Sequence, residues 1–478
     1  MEMPISTPSA QGVDPAGVAA FVDALDADPR LEPHGLIVQR HGHRIVEGWW
    51  APHRAGTARL VYSLSKTFTG SALGVLWGDG RIGLDDLVSD HLPELFDDPA
   101  IDARTRRLTV RHVASMASGH DREMLPEAIA ADPDDPVRGF LRIAPDAEPG
   151  TLFMYNQPPV LLLATILQRI AGERLVDLLA RRVLGPIGVD GLRWAQLRPG
   201  IDLGYSGVYT DLDTIARLGQ LYLDDGVWQG RQVLPSGWVA EASRVQTPNP
   251  ERPEPDWQQG YGLQLWRSRH GYRGDGAYGQ YMVVLPEHDA VVSLFSCVED
   301  MQIVLDLMWQ HLVPAMSSGT TTTTTTGSAG DRALAARLAS LSMPTARERH
   351  GGAPAATSLA GATAPIECAP APAGTPTHRT ITAAVVDRGR LTLYEDDRSL
   401  GVPLADEWSP SDDGTVWASA AALDDGRLVV DLVMVHTPHR LTVTLDPADA
   451  TFRATFALMP LFGAGLGRRI TAMHPPAS

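Results

Sequence analysis

The sequence predicts an α+β fold in which helices flank one antiparallel sheet and a helical insertion interrupts it. Strand patterns occur at residues 35–50 and return at residues 260–297, whereas residues 119–245 are mostly helical in pattern. Strands at both ends of a helical stretch favour a single antiparallel sheet over repeated βαβ units. Alternating apolar segments beyond residue 380 predict a second, small all-β domain.

The chain begins with the pattern of a helix followed by a β-hairpin. Residues 14–27 carry apolar side chains at helical spacing, and the apolar runs 35–39 and 44–50 flank a tight turn. His41 and His43 lie on that turn, and such a pair is also found in metal sites. No aspartate or glutamate nearby completes a ligand set, so we interpret the pair as part of the turn.

A glycine-rich stretch and three strand patterns follow the helical region. The strands are predicted at residues 260–266, 278–285 and 290–297, and a helix is predicted at residues 301–313. Residues 274–279 spell G-x-G-x-x-G, which in a dinucleotide-binding protein follows a strand and opens a helix. Here the motif precedes a strand, so we interpret its glycines as positions where a ligand or a backbone segment approaches closely.

The composition argues against several classes of partner. The formal net charge is -17 and the arginines are scattered, so we expect no binding to nucleic acid. The sequence has neither a basic amphipathic stripe nor a long apolar run, so we expect no contact with a membrane. It also lacks a signal-peptide pattern, which predicts a cytoplasmic protein. Cys297 and Cys368 are the only cysteines, and they indicate neither a disulfide framework nor a metal site.

A serine and a lysine at helical spacing are the strongest functional signal. Ser63 and Lys66 stand at the start of an apolar helical pattern, where an amine can take a proton from a hydroxyl. Such spacing also arises by chance, since Ser65 or Thr67 could cap a helix whose lysine faces solvent. Lys66, however, is the only lysine in 478 residues. Because arginine cannot lose its proton at neutral pH, the single lysine predicts a catalytic amine beside a nucleophilic Ser63.

A tyrosine on a loop is a further catalytic candidate. Tyr155 lies in the stretch 149–157, which interrupts the helical pattern directly before the apolar helix predicted at residues 159–170. This placement suits a reactive hydroxyl, although most tyrosines in such a setting only pack the ring and hydrogen-bond the hydroxyl.

Three motifs carry a resemblance to a known family. They are S-x-x-K at Ser63 and Lys66, Y-x-N at residues 155–157, and a strand motif at residues 274–276. With these motifs, residues 14–315 resemble the serine β-lactamase and penicillin-binding-protein-like superfamily, especially its class C β-lactamase, esterase and D-aminopeptidase branch. The resemblance implies a hydrolase that forms an acyl-enzyme at Ser63 and needs no metal or cofactor. Its expected substrate is a small ester, amide or peptide.

The resemblance also implies roles for further residues. Either Lys66 or Tyr155 takes the proton from Ser63, and the backbone N–H groups of Ser63 and Ala277 form the oxyanion hole. The substrate-binding positions implied by the resemblance are Asn156, Gln157, Gly274, Asp275 and Gly276.

Two positions depart from the family pattern. Gln157 stands where relatives have asparagine, while Asn156 lies one residue earlier, so either amide could face the substrate. Gly274 replaces a basic or histidine residue, which leaves a β-lactam carboxylate without its usual partner unless Arg273 reaches in. We expect the glycine to open space for an uncharged acyl group, which predicts faster turnover of esters than of β-lactams. The expected aromatic lining of that space is Tyr272, Tyr278 and Tyr281.

Three segments are predicted along the chain. Residues 1–315 form the hydrolase domain, residues 316–379 a low-complexity linker with one short helix, and residues 380–478 the small all-β domain. The candidate catalytic residues all precede the linker. A chain that ends near Met316 is therefore expected to stay soluble and to keep at least part of the activity.

Other functions are compatible with the same sequence. The acyl-enzyme chemistry would also serve a β-lactamase, a D-amino-acid peptidase, or an acyl transferase or peptide cyclase that delivers the acyl group to an amine. A metallohydrolase built on His41 and His43 would lose its activity with a chelator. An inactive binding or sensor module that kept the fold would not need Ser63, Lys66 and Tyr155. The sequence indicates no particular oligomeric state.

Overall fold

The computed structural model describes residues 3–318, 327–355, 365–371 and 380–461. The threonine run at residues 320–326 and a large part of the predicted linker lie outside the described residues. In the part of the chain that is described, no helix is long and apolar enough to cross a membrane.

The helices of the described residues begin and end as follows. They are α1 (Pro15–Ala27), α2 (Ser65–Gly78), α3 (Val88–His91), α4 (Val110–Ala114), α5 (Leu125–Ala131), α6 (Pro136–Leu141), α7 (Gln157–Ala171), α8 (Leu175–Leu179), α9 (Leu212–Leu223), α10 (Trp238–Ser243), α11 (Gln302–Leu307), α12 (Val313–Ser318), α13 (Ala329–Ala339) and α14 (Ala346–His350). Capping explains several of their ends. The Asp14 carboxylate accepts the N–H of Ala16 at the start of α1, and Gly172 adopts φ 75° at the end of α7.

The strands fall into two large sheets and several short pairs. They are β1 (Leu31–Arg40), β2 (His43–Trp49), β3 (Arg59–Leu60), β4 (Arg193–Trp194), β5 (Gln196–Arg198), β6 (Ile201–Asp202), β7 (Val208–Thr210), β8 (Val227–Trp228), β9 (Arg231–Gln232), β10 (Trp266–Arg267), β11 (Tyr272–Gly276), β12 (Gln280–Leu285), β13 (Ala290–Val298), β14 (Ala353–Pro354), β15 (Ile366–Pro370), β16 (Ala383–Asp387), β17 (Arg390–Glu395), β18 (Arg398–Pro403), β19 (Ser409–Pro410), β20 (Val416–Ala422), β21 (Leu428–Met434), β22 (Arg440–Asp446) and β23 (Thr451–Phe456). Six of these short strands, β4 to β9, lie in the stretch that the sequence predicts to be mostly helical.

The first large sheet joins the two distant strand regions. Its order is β10-β11-β12-β13-β1-β2, and β1 pairs antiparallel with β13 in a register that places Leu36 opposite Leu294. Alternate residues of β1 enter different cores, since Leu36 and Val38 pack with α1, whereas Ile37 packs on the side of α9. Helices therefore cover both faces of an antiparallel sheet, and the predicted α+β class is confirmed.

One strand prediction is wrong, and the apolar pattern missed another strand that only the family motif at residues 274–276 indicates. Residues 260–266 are mostly irregular, and only their last residue enters β10. Strand β11, by contrast, has the sequence Tyr-Arg-Gly-Asp-Gly, and glycine and aspartate are depleted in strands. It forms because β10 and β12 supply partners on both sides, as in the pairing of Gly274 with Met282.

The second large sheet forms the C-terminal region and packs against the first domain. Its order is β14-β20-β21-β22-β23-β15-β16-β17-β18, with β19 paired to β20. Val433 and Val435 of this region belong to the same apolar core as α1. Arg440 donates to Glu32 at 2.8 Å across the contact, and the main-chain N–H of Leu60 donates to the carbonyl of His436 at 2.9 Å.

Part of the segment predicted to be a linker is packed. Helix α13 lies against α1 and β2, and Leu334, Leu341 and Met343 are buried in the core that contains α1. These side chains connect the first domain to the C-terminal region through apolar contact. The domain boundaries themselves stay a prediction.

Candidate active site

Ser63 lies on a turn that leads into helix α2. Residues Tyr62–Leu64 form a 3-10 turn, and Ser65 starts the helix. The Ser65 hydroxyl accepts the main-chain N–H of Val208 at 3.0 Å, which fixes the turn against strand β7. Most of α2 is buried, so packing holds the turn in place. The Ser63 side chain is half-buried and lines a cavity of about 970 Å³.

The Lys66 side chain reaches Ser63 from within helix α2. Its Nζ donates to Ser63 Oγ at 3.1 Å, to Gln157 Oε1 at 2.8 Å and to the carbonyl oxygen of Tyr205 at 2.8 Å. All three of these groups are uncharged. The structure thus brings the two residues of the S-x-x-K motif within hydrogen-bond distance.

Burial changes the acidity of the Lys66 ammonium. It lowers the pKa of Lys66 from the usual 10.5 to about 7, because the charged form loses its hydration. The negative charges of Asp275 and Glu123 act in the opposite direction but do not outweigh burial. A lysine with this pKa is in part a neutral amine at neutral pH, and a neutral amine can accept a proton.

The Tyr155 ring packs between Lys66 and a tryptophan. Lys66 Nζ lies 4.7 Å from the centre of the ring, and the ring stacks on Trp266 with centroids 5.3 Å apart at 16°. Burial raises the pKa of Tyr155 well above its usual range, and the Asp275 charge adds to this, while a hydrogen bond with Ser63 opposes it. The hydroxyl therefore keeps its proton at neutral pH.

The two amides of the Y-x-N motif point in different directions. The Gln157 side chain accepts from Lys66 and lines the cavity. The Asn156 side chain is buried, accepts the main-chain N–H of Met124 at 3.0 Å and donates to the carbonyl of Arg122 at 3.1 Å. Asn156 thus fixes the loop beside the cavity and is not among the residues that line it, so its predicted contact with substrate is not supported.

Strand β11 approaches the Ser63 turn too closely for side chains. A Cβ on Gly276 would lie 2.0 Å from the carbonyl oxygen of Val61, and a Cβ on Gly274 would lie 2.2 Å from Thr67 Oγ1. At Gly276 the neighbour is backbone, as the sequence predicts, whereas at Gly274 the neighbours are the side chains of Thr67 and Leu64. The expectation that Gly274 opens space for a substrate is wrong. Ala277 follows the strand and lines the cavity beside Ser63.

Asp275 and Arg273 form a buried pair on strand β11. Arg273 Nε donates to Asp275 Oδ2 at 2.9 Å, and its guanidinium carbon lies 4.2 Å from the centre of the Trp257 ring. Arg273 is fully buried and is not among the residues lining the cavity, whereas Asp275 is. Burial raises the pKa of Asp275, and Arg273 limits that rise. The cavity wall at this strand is thus acidic rather than basic.

The sequence and the fold match known proteins over most of the first domain. The model of the family described as Beta-lactamase matches residues 18–313. The chain belongs to the beta-lactamase family. A 6-aminohexanoate-dimer hydrolase of Paenarthrobacter ureafaciens is 26% identical over 316 residues, which are 60% of this chain and 80% of that protein. These matches identify the chain as a hydrolase of the beta-lactamase family, whose named relatives include amidases and esterases.

Solved structures share the beta-lactamase fold with this chain. A Bacillus anthracis protein with a provisional name as a 6-aminohexanoate-dimer hydrolase has a TM-score of 0.53 and 19% identity, over 66% of this chain and 87% of that one. EstCE1, named as a hydrolase with promiscuous acyltransferase activity, has a TM-score of 0.50 and 18% identity, over 64% of this chain and 99% of that one. At 18% and 19% identity, these two matches show a shared fold and not a shared activity.

The C-terminal region supplies part of the cavity wall in this member of the beta-lactamase family. Lining residues that follow the predicted linker or lie within it are Arg349, Arg440, Ala457, Leu458 and Leu461. Sequence reasoning missed all of them, because nothing in an alternating strand pattern marks which edge of a small β-domain faces a distant site. The C-terminal region therefore forms part of the cavity next to Ser63.

The aromatic lining of the cavity differs from the expectation. Tyr272 and Tyr281 are buried, and their hydroxyls donate to the carbonyls of Tyr222 and Met301. They and Tyr278 are not among the lining residues, so that prediction is wrong. The aromatic side chains that line the cavity are Tyr155, Trp257 and Trp266.

Neither Cys297 nor the pair His41 and His43 forms a reactive or metal-binding group in the described residues. Cys297 lines the cavity, but burial raises the pKa of its thiol, which disfavours the reactive thiolate. His43 Nδ1 donates to the carbonyl of His41 at 2.8 Å on the turn between β1 and β2. Within the described ranges, no cluster of three or more potential metal ligands is found.

Proposed function

We propose that this protein is a serine hydrolase that forms an acyl-enzyme at Ser63 and acts on esters or small amides. The observation that carries the proposal is the environment of the Lys66 amine. Two of its partners, Gln157 Oε1 and the Tyr205 carbonyl, can only accept hydrogen bonds. The ammonium form donates to all three partners, including Ser63 Oγ at 3.1 Å. A neutral amine keeps two N–H groups for the two acceptors and directs its lone pair at Ser63 Oγ, so that the hydroxyl then donates.

The first chemical step follows from this geometry. The Ser63 hydroxyl passes its proton to the Lys66 amine while Oγ forms a bond to the carbonyl carbon of the substrate. The negative charge that develops on the carbonyl oxygen is stabilised by the main-chain N–H groups of Ser63 and Ala277, two residues that line the cavity. The leaving group departs as an alcohol or amine, and water then attacks the ester at Ser63.

Tyr155 serves as a proton donor in this proposal rather than as the base. Its pKa is raised and that of Lys66 is lowered, so at neutral pH the phenol holds its proton while the amine can accept one. Tyr155 is hydrogen-bonded to Ser63, so its phenol lies close to the carbonyl carbon that Ser63 Oγ attacks and from which the leaving group departs. The proton from Lys66 can thus reach the leaving group through Tyr155.

Strand β11 offers no cationic partner for a substrate carboxylate beside the scissile bond. Gly274 has no space for a basic side chain, and the Arg273 guanidinium is buried against Asp275. Tyr155, Trp257 and Trp266 offer an aromatic surface for an uncharged acyl group. The Paenarthrobacter ureafaciens relative, named for hydrolysis of an amide dimer, supports the inclusion of small amides.

A steady-state comparison tests the substrate class. We expect kcat/KM for short-chain p-nitrophenyl esters to exceed that for nitrocefin or benzylpenicillin by at least about tenfold at the same pH, equivalent to about 1.4 kcal/mol. A β-lactam that proved the better substrate would overturn this assignment of substrate class but not the role of Ser63.

Replacement of the nucleophile tests the central proposal. Ser63→Ala should abolish turnover of the best ester and the mass increase that a fluorophosphonate causes in the intact protein. Ser71→Ala is a matched control on the same helix, because the Ser71 hydroxyl donates to the Thr67 carbonyl within the core. The control should be labelled and active. Turnover by Ser63→Ala at the wild-type rate would show that the proposal is wrong.

A further inference from the structure

Two residues beside the proposed oxyanion hole have an unusual backbone conformation. Tyr62 directly precedes Ser63 and has φ 48°, and Tyr278 directly follows Ala277 and has φ 67°. Residues with a Cβ rarely adopt this left-handed region, and for bulky side chains it is an outlier. Each main-chain N–H of the proposed hole therefore adjoins a residue whose conformation the surrounding contacts must hold.

His439 of the C-terminal region contacts both of these tyrosines. Its Nε2 lies 2.6 Å from the Tyr62 hydroxyl, and its ring lies 4.9 Å from the Tyr278 ring, edge to face at 78°. The two tyrosine rings lie 5.4 Å apart at 70°. We call these three residues, Tyr62, Tyr278 and His439, the aromatic clamp.

Neighbouring groups fix the orientation of the imidazole. His439 Nδ1 lies 3.0 Å from the carbonyl oxygen of Leu458, which can only accept, so Nδ1 donates and Nε2 accepts from the Tyr62 hydroxyl. The Tyr278 hydroxyl donates to the carbonyl of the next residue, Met459. One segment after β23 thus holds two members of the aromatic clamp.

The turn that carries His439 is itself tied down. The main-chain N–H of Met434 donates to the His439 carbonyl at 3.1 Å, which closes the turn between β21 and β22. The imidazole is 1% exposed, so it cannot touch a substrate and acts only through its neighbours. Its contact with Tyr62 spans 377 residues of sequence and forms only when the C-terminal region docks.

We propose that His439 is a positioning residue for the oxyanion hole, and that the C-terminal region acts through it on the chemistry at Ser63. The imidazole holds the Tyr62 hydroxyl and the Tyr278 ring, and these residues set the direction of the main-chain N–H groups of Ser63 and Ala277. This inference rests on the proposed function, because it concerns the same oxyanion hole. It adds a residue outside the first domain to the catalytic apparatus.

A positioning role predicts a different kinetic effect from a merely structural contact. The oxyanion hole stabilises charge that exists only in the transition state, so its distortion lowers kcat and leaves KM nearly unchanged. Loss of a structural contact lowers the amount or thermal stability of folded protein instead, and the protein that remains folded keeps its kcat.

Three variants of the full chain test the inference. His439→Phe keeps a ring but removes both hydrogen bonds, and Tyr62→Phe removes only the hydroxyl that His439 accepts from. Each should lower kcat about tenfold or more with KM within about twofold, and the double variant should be no worse than the worse single variant. His439→Gln places an amide oxygen where Nε2 lies and should restore kcat to within about threefold of the wild type.

A control variant and the activity of Ser63→Ala separate the outcomes. Trp408→Phe weakens another contact of the C-terminal region, the hydrogen bond from Trp408 Nε1 to the Met343 carbonyl, and should leave kcat unchanged. The inference is wrong if His439→Phe and Tyr62→Phe keep kcat within about twofold, or if Trp408→Phe lowers it equally. If His439→Phe does not fold, Tyr62→Phe and His439→Gln decide. Full activity of Ser63→Ala would instead overturn the proposed function itself.

Discussion

Two nitrogen-bearing side chains approach the Ser63 turn from two different regions of the molecule. Lys66 lies on helix α2 and reaches Ser63 Oγ at 3.1 Å, whereas His439 lies in the C-terminal region and reaches the Tyr62 hydroxyl at 2.6 Å. The first contact follows from local helical spacing, and the second exists only when two regions of the chain have packed together. In the proposed mechanism, the first region supplies the reacting groups and the C-terminal region helps to fix the geometry around them.

The largest effect is expected from a change on the Lys66 side of this comparison. Lys66→Arg keeps a positive charge but removes the only lysine amine, since a guanidinium stays protonated and its planar fork does not fit the site of a single nitrogen. We expect kcat/KM for the best ester to fall by a factor of about 100 or more, the range of general-base catalysis. Steady-state kinetics on the purified variant, with thermal unfolding as a check of folding, measures this loss.

A surface exchange is the control for Lys66→Arg. Arg337 on helix α13 pairs with Asp23 and Asp26. Arg337→Lys replaces one cation by another in ion pairs that include none of the proposed catalytic residues. It should leave kcat/KM within about twofold, because such partly exposed pairs contribute little. If Lys66→Arg kept more than about a tenth of the wild-type kcat, Lys66 would be a structural cation.

A smaller but still large effect is expected where strand β11 meets the same turn. A Cβ at Gly276 would lie 2.0 Å from the Val61 carbonyl oxygen, so Gly276→Ala must move either the strand or the turn. A displacement of about 1 Å at a catalytic centre costs up to about a hundredfold in rate, and we expect kcat to fall by a factor of this order. Kinetics and an unfolding curve of the variant separate this loss from a loss of folded protein.

Another glycine provides the control for this substitution. Gly330 lies in helix α13, and a Cβ there would meet the Pro15 side chain at an ordinary distance of 3.4 Å. Gly330→Ala should leave kcat unchanged and stabilise the protein by up to about 1 kcal/mol, because alanine favours helix. Equal kinetics of the two variants would show that the approach of β11 to the turn does not matter for catalysis.

The sequence predicted the fold where local patterns determine it. Helix α1, the hairpin of β1 and β2, and strands β12 and β13 all follow from apolar periodicity. The apolar pattern missed strand β11, which only the family motif indicated, because its Arg-Gly-Asp-Gly sequence lacks strand propensity and the strand is held by its neighbours. The packing of Leu334, Leu341 and Met343 was missed because a low-complexity composition does not indicate which few side chains become buried.

The site was predictable to the extent that it is local. Ser63, Lys66 and Tyr155 were identified from spacing, composition and motif, and the structure brings them together. The contact of His439 with Tyr62 and the wall formed by Arg440 and Leu458 depend on docking of the C-terminal region, which no local pattern records. For the same reason, a chain that ends near Met316 lacks part of the cavity wall and of the core, and we expect it to be a weaker enzyme than the full chain.

The smallest expected effect is a change of activity with pH. It distinguishes the role of Lys66 from that of His439 most directly. The pKa of Lys66 is lowered to about 7, and the neutral amine is the form that accepts the Ser63 proton, so kcat/KM should fall as the pH drops below 7. Between pH 7 and pH 6 the neutral fraction falls from about one half to about one eleventh, which predicts a loss of about fivefold. His439→Gln should lower the whole curve less than His439→Phe and leave its inflection in place, because the imidazole positions the oxyanion hole and transfers no proton. A profile that is flat between pH 6 and pH 8 would show that Lys66 is not the proton acceptor, and an inflection that vanished in His439→Gln would assign the titration to the histidine instead.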